Sequence, residues 1–173
     1  MNNEQLKEYL AKMRDGDNTV FAEIYNDMKT PIFTIICRIT RSKELAEDVM
    51  HDLFVKLYQS PPGYSVNNPR TWIFQMARNL ALNSKRTPQT AELNEEIENR
   101  CEIFSDSVNL QIDIENAMKT LVSDELEIIS LRVYGDLKFK EISKILQMPL
   151  GTVLWKYQKA VKKLRTYLNG GSV

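Results

Sequence analysis

Residues Leu137 to Leu168, LKFKEISKILQMPLGTVLWKYQKAVKKLRTYL, read as two helices joined by a tight turn. In the first, Phe139, Ile142, Ile145 and Leu146 recur at helical spacing. The pattern breaks at Gln147-Met148-Pro149, and Pro149 suits the first position of a new helix, where its missing N–H has no partner to lose. In the second helix Val153, Tyr157, Ala160, Leu164 and Leu168 fall on one face as a buried stripe. Lys156, Lys159, Lys162, Lys163 and Arg165 populate the remainder. Beyond Glu141 no carboxylate occurs, while six Lys or Arg do. A helix-turn-helix whose second helix is basic on its free side suits the major groove of DNA. Charge alone would fit any solvated amphipathic helix; the spacing of both helices about the turn is what points to DNA.

Length and composition bound the rest. The chain has 173 residues, enough for one domain or two small ones with real cores. Hydrophobic residues make up 43%, with only six glycines and six prolines, which suits an all-α protein. Formal net charge is zero, but the charge is segregated. Leu53 to Ala91 holds no Asp or Glu, yet carries Lys56, Arg70, Arg78, Lys85 and Arg86. Glu92 to Glu115 holds eight carboxylates against Arg100 alone. Two positive surfaces joined by a negative connector are expected. The two cysteines, Cys37 and Cys101, have no CxxC spacing, and His51 is the single histidine, so neither a zinc site nor a disulfide framework is indicated. Cys37 reads as a small core residue. No apolar stretch approaches the ~20 residues that span a bilayer, and MNNEQLKEYL lacks the plan of a signal peptide. The expectation is a cytoplasmic protein without membrane insertion.

The N-terminal half reads as a run of helices. Asn3 to Met13 places Leu6, Tyr9, Leu10 and Met13 on one side and ends at Asp15-Gly16-Asp17. A second run carries Val20, Phe21, Ile24 and Tyr25, after which Pro31 is expected to kink or restart the chain. Ile32, Phe33, Ile35, Ile36 and Ile39 continue as a buried helix. Ser42 can cap the next, whose apolar positions are Leu45, Val49, Leu53, Phe54 and Leu57, with Glu47, Asp48 and Asp52 outward. Pro61 to Asn67 is a loop, and Asn68-Pro69 is a helix start, a cap followed by a first-turn proline. The helix it opens packs Trp72, Ile73, Met76 and Leu80, with Asn83 following at the same spacing.

AEDVMHDLFVKLY at 46–58, followed by NPRTWIFQMARNLALNSKR at 68–86, resembles region two of the extracytoplasmic-function sigma factors of bacterial RNA polymerase. SDELEIISLRVYGDLKFKEISKILQMPLGTVLWKYQKAVKKLR at 123–165 is similar to their region four. The two stretches stand in the family's order, cover nearly the whole chain with the connector between, and are specific together where either alone would be weak. The resemblance implies region two at 1–86 for polymerase docking, −10 recognition and melting. It implies an acidic flexible linker at 87–109 threading the polymerase cleft, and region four at 110–173 for −35 recognition.

Carried over position by position, Glu47, Asp48, His51, Asp52 and Phe54 would dock on the β′ clamp helices of core polymerase. The family usually has glutamine at the place of His51 and often glutamate at that of Asp52. Tyr64, Asn67 and Asn68 would line a pocket for an extruded base, with Arg70, Arg78, Lys85 and Arg86 following the single-stranded backbone. A tryptophan early in an amphipathic helix is more often core than stacking platform, so Trp72 is read as core and Tyr64 as the loop candidate. The family's −35 contacts fall on Thr152, Trp155, Lys156, Gln158, Lys159, Lys162 and Lys163. Lys138 stands where a capping Ser or Thr is usual, Gln147 where the turn often has glycine, and Leu154 and Trp155 where basic and small residues are usual. Ile112, Ala117, Leu121, Leu126, Ile129, Leu131 and Val133 would form the region-four core, with Ser123 as a cap and Gly135 as a stop.

The reading is a two-domain, all-α sigma factor that gives core polymerase its promoter address and helps melt it. Its expected partners are core RNA polymerase (β′ clamp helices, β flap), promoter DNA and, in some members of the family, an anti-sigma factor. No cofactor, metal or catalytic residue is expected: the chain offers no nucleophile–base pair, metal cluster or glycine-rich phosphate loop. The alternative is a helix-turn-helix regulator that never binds core polymerase, for which the acidic helix at 46–58 has no use.

Overall fold

Asn2 opens the first helix by accepting a hydrogen bond from the Gln5 N–H at 2.8 Å. In the computed structural model, which describes residues 1–63, 65–86, 114 and 116–170, α1 (Asn3–Arg14) leads through a 3-10 turn (Asn18–Val20) into α2 (Phe21–Thr40). Next come α3 (Lys43–Gln59) and α4 (Pro69–Arg86). After a helical run over 116–119, α5 (Ser123–Val133), α6 (Phe139–Leu146) and α7 (Leu150–Leu168) complete the described chain. It divides into two compact units, at Met1–Cys101 and Glu102–Val173. The connector 87–109, Tyr64, Cys101 and Ile112 lie outside the described residues, and of Arg86 only the backbone is described.

In the first unit α2 is the central element: α3 and α4 both pack on it and on each other, and α1 lies against α2 and α4. Ile24, Met28, Ile32, Ile35 and Ile36 of α2 are buried, against Ala46, Val49, Leu53 and Leu57 of α3 and Ile73, Phe74, Ala77 and Ala81 of α4. Pro31 does not break the chain: α2 runs unbroken through it for 20 residues. The apolar phase explains this, since 24, 28, 32 and 35 keep one face through the proline. Burial along that face outweighs the ~3 kcal/mol that an interior proline costs. In α4 the buried face is turned from the one expected. Phe74, Ala77 and Ala81 are buried with Ile73, while Trp72, Met76 and Leu80 are half-covered and Asn83 is exposed. The alanines let α4 approach its neighbours closely, and that selects the face. Cys37 is buried as expected, but its sulfur is engaged in a disulfide, which the cysteine spacing gave no reason to expect.

In the second unit α5 and α6 both pack on α7. Ala117, Leu121, Ile129 and Leu131 are buried as expected, joined by Met118, Ile128 and Leu137. Val133, expected in this core, is 60% exposed because α5 ends there. Leu168, expected in the α7 stripe, is 51% exposed at the helix end. Ser123 is the first helical residue and not the cap; Val122 precedes it, its N–H donating to Glu125 Oε2 at 3.3 Å. Likewise Pro149 is the cap of α7 and Leu150 its first residue.

Two turn positions explain the helix-turn-helix geometry. Gln147 ends α6 at φ +54, the left-handed conformation in which a side chain is strained and glycine is not. Gly135 is required for another reason: a Cβ there would sit 2.6 Å from the Leu131 carbonyl oxygen. That oxygen accepts the Leu137 N–H at 3.2 Å, folding the chain back under α5. In urea denaturation Gln147→Gly should therefore raise the stability of the second unit by about 1 kcal/mol. Gly135→Ala should lower it by about 1–3 kcal/mol, since backbone must move.

Candidate nucleic-acid and polymerase interfaces

α3 divides cleanly between two environments. Val49, Leu53 and Leu57 face the core, which turns Glu47, Asp48, His51 and Asp52 to solvent on consecutive turns. None of these four forms an ion pair among the described residues, so three carboxylates stand beside His51 without a paired cation. Phe54, expected on the docking face, is instead 4% exposed. It stands with its ring centroid 4.7 Å from Tyr25 and 6.2 Å from Phe21, edge-on to the latter. Phe21 also meets the half-exposed Tyr58 at 5.1 Å, so an aromatic cluster of two i,i+4 pairs closes the α2–α3 seam. The sequence carried that signal in Phe21/Tyr25 and Phe54/Tyr58.

The loop before α4 is held from both sides. Arg14 of α1 donates to the Pro62 carbonyl, and Asn68 caps α4 by accepting the Thr71 N–H at 3.0 Å. Asn67 is exposed and adjacent, whereas the Asn68 amide oxygen is engaged in the cap. A cavity of about 340 Å3 lies between α1 and the loop, lined by Lys7, Glu8, Pro62, Gly63 and Val66 among others; neither asparagine lines it. Arg70 does not track outward as expected. Its side chain is 14% exposed, 3.4 Å from Asp27 Oδ2, with the guanidinium 5.8 Å from the Phe74 ring centroid. Asp27 also accepts the Met1 ammonium at 2.7 Å, so Arg70 ties α4 to α2 and the chain start. Lys85 is exposed and Arg78 half-buried.

α7 presents the most informative geometry. Its first turn holds Thr152, half-buried, and Val153 and Ala160 point into the unit. Trp155, 59% exposed, and Gln158 face outward with Lys159, whose Nζ lies 5.0 Å from the Trp155 ring centroid. Lys162 is exposed and in no ion pair among the described residues. The other lysines turn back. Lys156 Nζ donates to Asp124 Oδ2 and Lys163 Nζ to Glu125 Oε2, each at 2.6 Å, while Lys159 Nζ stands 3.8 Å from Glu125 Oε1. Lys156 and Lys163, expected on DNA, are thus committed to the first turn of α5. That turn is where carboxylates also meet the positive end of the helix dipole.

Comparison with known proteins agrees with this architecture. Residues 24–90 match the model of sigma-70 region 2, and residues 117–166 match that of sigma-70 region 4. The chain is 25% identical over 180 residues to the ECF RNA polymerase sigma factor SigW of Bacillus subtilis, covering 94% of this chain and 96% of that one. It is 20% identical to ECF sigma factor SigK of Mycobacterium ulcerans, covering 96% and 95%. Among solved structures, CnrH in complex with the cytosolic domain of CnrY superposes with a TM-score of 0.63 at 16% identity, covering 96% of this chain and 98% of that one. The sigma factor RpoE from Bartonella quintana, solved with the anti-sigma factor NepR, gives 0.59 at 18% identity, covering 85% and 97%. The region 2 and region 4 matches make this chain, helical throughout its described elements, a transcription-initiation protein. It belongs to the extracytoplasmic-function sigma factors of the sigma-70 family, with regions 2 and 4. Such proteins are not enzymes; the polymerase supplies the chemistry. The match over 24–90 sets aside a regulator that never meets core polymerase.

Glu125 makes region 4 sensitive to acid. Burial alone would push its carboxyl up. The Lys163 hydrogen bond, the Val122 N–H and the charges of Lys163 and Lys159 outweigh that and hold it below the ordinary glutamate value. A carboxyl with a lowered folded-state pKa contributes stability that is fully present above its unfolded value and lost as pH falls through the folded one. The urea midpoint of this unit should hold from neutrality to the ordinary glutamate range and drop on further acidification. Glu125→Gln should lower the midpoint at neutral pH and remove this part of its pH dependence.

Proposed function

We propose that the outward face of α3 docks this sigma factor on the β′ clamp helices of core polymerase through Glu47, Asp48, His51 and Asp52. The observation that carries this reading is the set of three unpaired carboxylates beside His51 on a helix whose opposite face is locked in the core. Phe54 supports the face from beneath by packing against Tyr25. The loop at 61–68 takes the −10 element, with Asn67 and Tyr64 at the extruded base and Arg78, Lys85 and Arg86 along the strand. Region 4 reads the −35 element through α7 and meets the β flap. The protein then works in the cytoplasm, where the polymerase is. Among the described residues no helix is long and apolar enough to cross a membrane. An anti-sigma partner would act by covering the α3 face, and the RpoE relative solved with NepR supports looking for one.

In α7 the outward set Trp155, Gln158 and Lys159 shares one face. Glutamine pairs bidentately with adenine, an apolar edge suits a thymine methyl, and lysine favours guanine. The upstream element is therefore an A·T-rich run beside at least one guanine.

Lysine at both Asp48 and Asp52 should weaken core binding in a fluorescence titration while leaving the melting temperature nearly unchanged, because exposed charges contribute little to folding. Unaltered affinity would remove α3 from the interface. Gln158→Ala should cost ~1–3 kcal/mol at one base pair and relax preference there. Lys162→Ala should weaken all sequences alike and lower the salt slope by about one. A selection that returns a G·C-only upstream element would overturn the assignment of this face.

A further inference from the structure

The lysines of α7 fall into two groups that the sequence does not distinguish. Lys162 is exposed, and Lys159 lies between the Trp155 ring and Glu125, 3.8 Å from its carboxylate. Lys156 and Lys163 are each within 2.6 Å of a carboxylate, with side chains only 22% and 26% exposed. Both acceptors, Asp124 and Glu125, are neighbours in the first turn of α5. Glu125 is nearly sealed, at 2% exposure, and holds the Val122 N–H as well. A surface ion pair between long flexible side chains would exchange freely with phosphate. The Lys163–Glu125 pair does not, because releasing the lysine leaves a buried anion with its main partner gone, whereas Asp124 is 43% exposed and holds the largely covered Lys156 through one short contact.

We propose that Asp124 and Glu125 are specificity-determining positioning residues: they keep Lys156 and Lys163 off the DNA backbone and fix the rotation of α7 that presents Trp155 and Gln158. The inference rests on the reading of α7 as the −35 reader. Each lysine placed on a phosphate adds affinity for any sequence, since it releases a counterion regardless of the bases. Sequestering two of them lowers that indiscriminate part and leaves base-edge contacts a larger share of the binding free energy. The tether also acts on geometry. Lys156 and Lys163 lie seven residues apart, two turns of α7, and both are drawn to one turn of α5, which opposes rolling of the helix about its axis.

The test uses the full chain assembled with core polymerase, on duplex promoter probes with either a selected upstream element or a scrambled one, over a range of salt. Asp124→Asn combined with Glu125→Gln keeps side-chain size and the amide oxygen that can accept the Val122 N–H. Binding to the scrambled probe should strengthen, its salt slope steepen by about two, and discrimination between the probes fall several-fold. Mere destabilisation of the unit would weaken both probes and would not steepen the slope. Independently, Lys156→Gln and Lys163→Gln in the otherwise unaltered chain should leave the slope unchanged. The proposal is overturned if the double variant leaves slope and discrimination as they were, or if each lysine variant flattens the slope by about one, which would put those lysines on phosphates. If the unaltered holoenzyme does not distinguish the two probes, it is the reading of α7 that fails and the proposal with it.

Discussion

Burial of α2 on several sides is the constraint from which the region 2 surface follows. A 20-residue helix carrying Ile24, Met28, Ile32, Ile35 and Ile36 cannot be satisfied by one neighbour, so α3 and α4 must both lie against it. Once α3 has committed Ala46, Val49, Leu53 and Leu57 inward, its remaining positions have no choice of direction. The acidic residues face solvent because the apolar ones do not. An outward face built this way is rigid, since the side chains that position it are in the core, and charge changes on its surface leave that scaffold intact.

Apolar periodicity made the helices and their order legible, and it also shows where local rules lose to packing. Pro31 is a breaker by local rule, yet the stripe from Ile24 to Ile35 passes it without a phase slip, and a true break would have shifted the phase. In α4 a reading by side-chain size favours Met76 and Leu80, whereas the helix buries Ala77 and Ala81, because close approach of two helices rewards small residues at the contact. Val133 and Leu168 satisfy the periodicity of their helices but sit at helix ends, where they are more than half exposed among the described residues. Periodicity states which face is apolar; it does not state how far the partner reaches. Phe54 shows the reverse: periodicity counted it among the apolar positions of α3, position in a motif placed it at an interface, and its aromatic neighbours on α2 hold it in the core.

Charge was legible as a quantity and illegible as a pattern of partners. Pairs such as Lys12 with Glu8 can be read from i,i+4 spacing. Arg70 with Asp27, Lys156 with Asp124 and Lys163 with Glu125 cannot, because they are separated by 43, 32 and 38 positions. A basic stretch that suggests nucleic acid can therefore contain cations already committed to the fold. Within region 2 Arg70 is such a case, and within α7 two of the lysines are.

The arrangement of α7 then follows from two surfaces competing for one helix. Its buried positions, Val153 and Ala160, are few and small, and Tyr157, Val161 and Leu164 are only partly covered, so apolar packing alone holds the helix weakly against rotation. The carboxylates of α5 supply what the core does not, and they act on positions flanking the apolar stripe rather than within it. An apolar residue at 125 would pack against the same neighbours but would leave Lys159 and Lys163 free to move and the Val122 N–H without its acceptor. A buried acid is thus the better choice at the first turn of α5, where the helix dipole also favours negative charge. Its benefit is orientational: it bears on which side chains of α7 face out, and that is what the proposed reading of bases by this helix depends on.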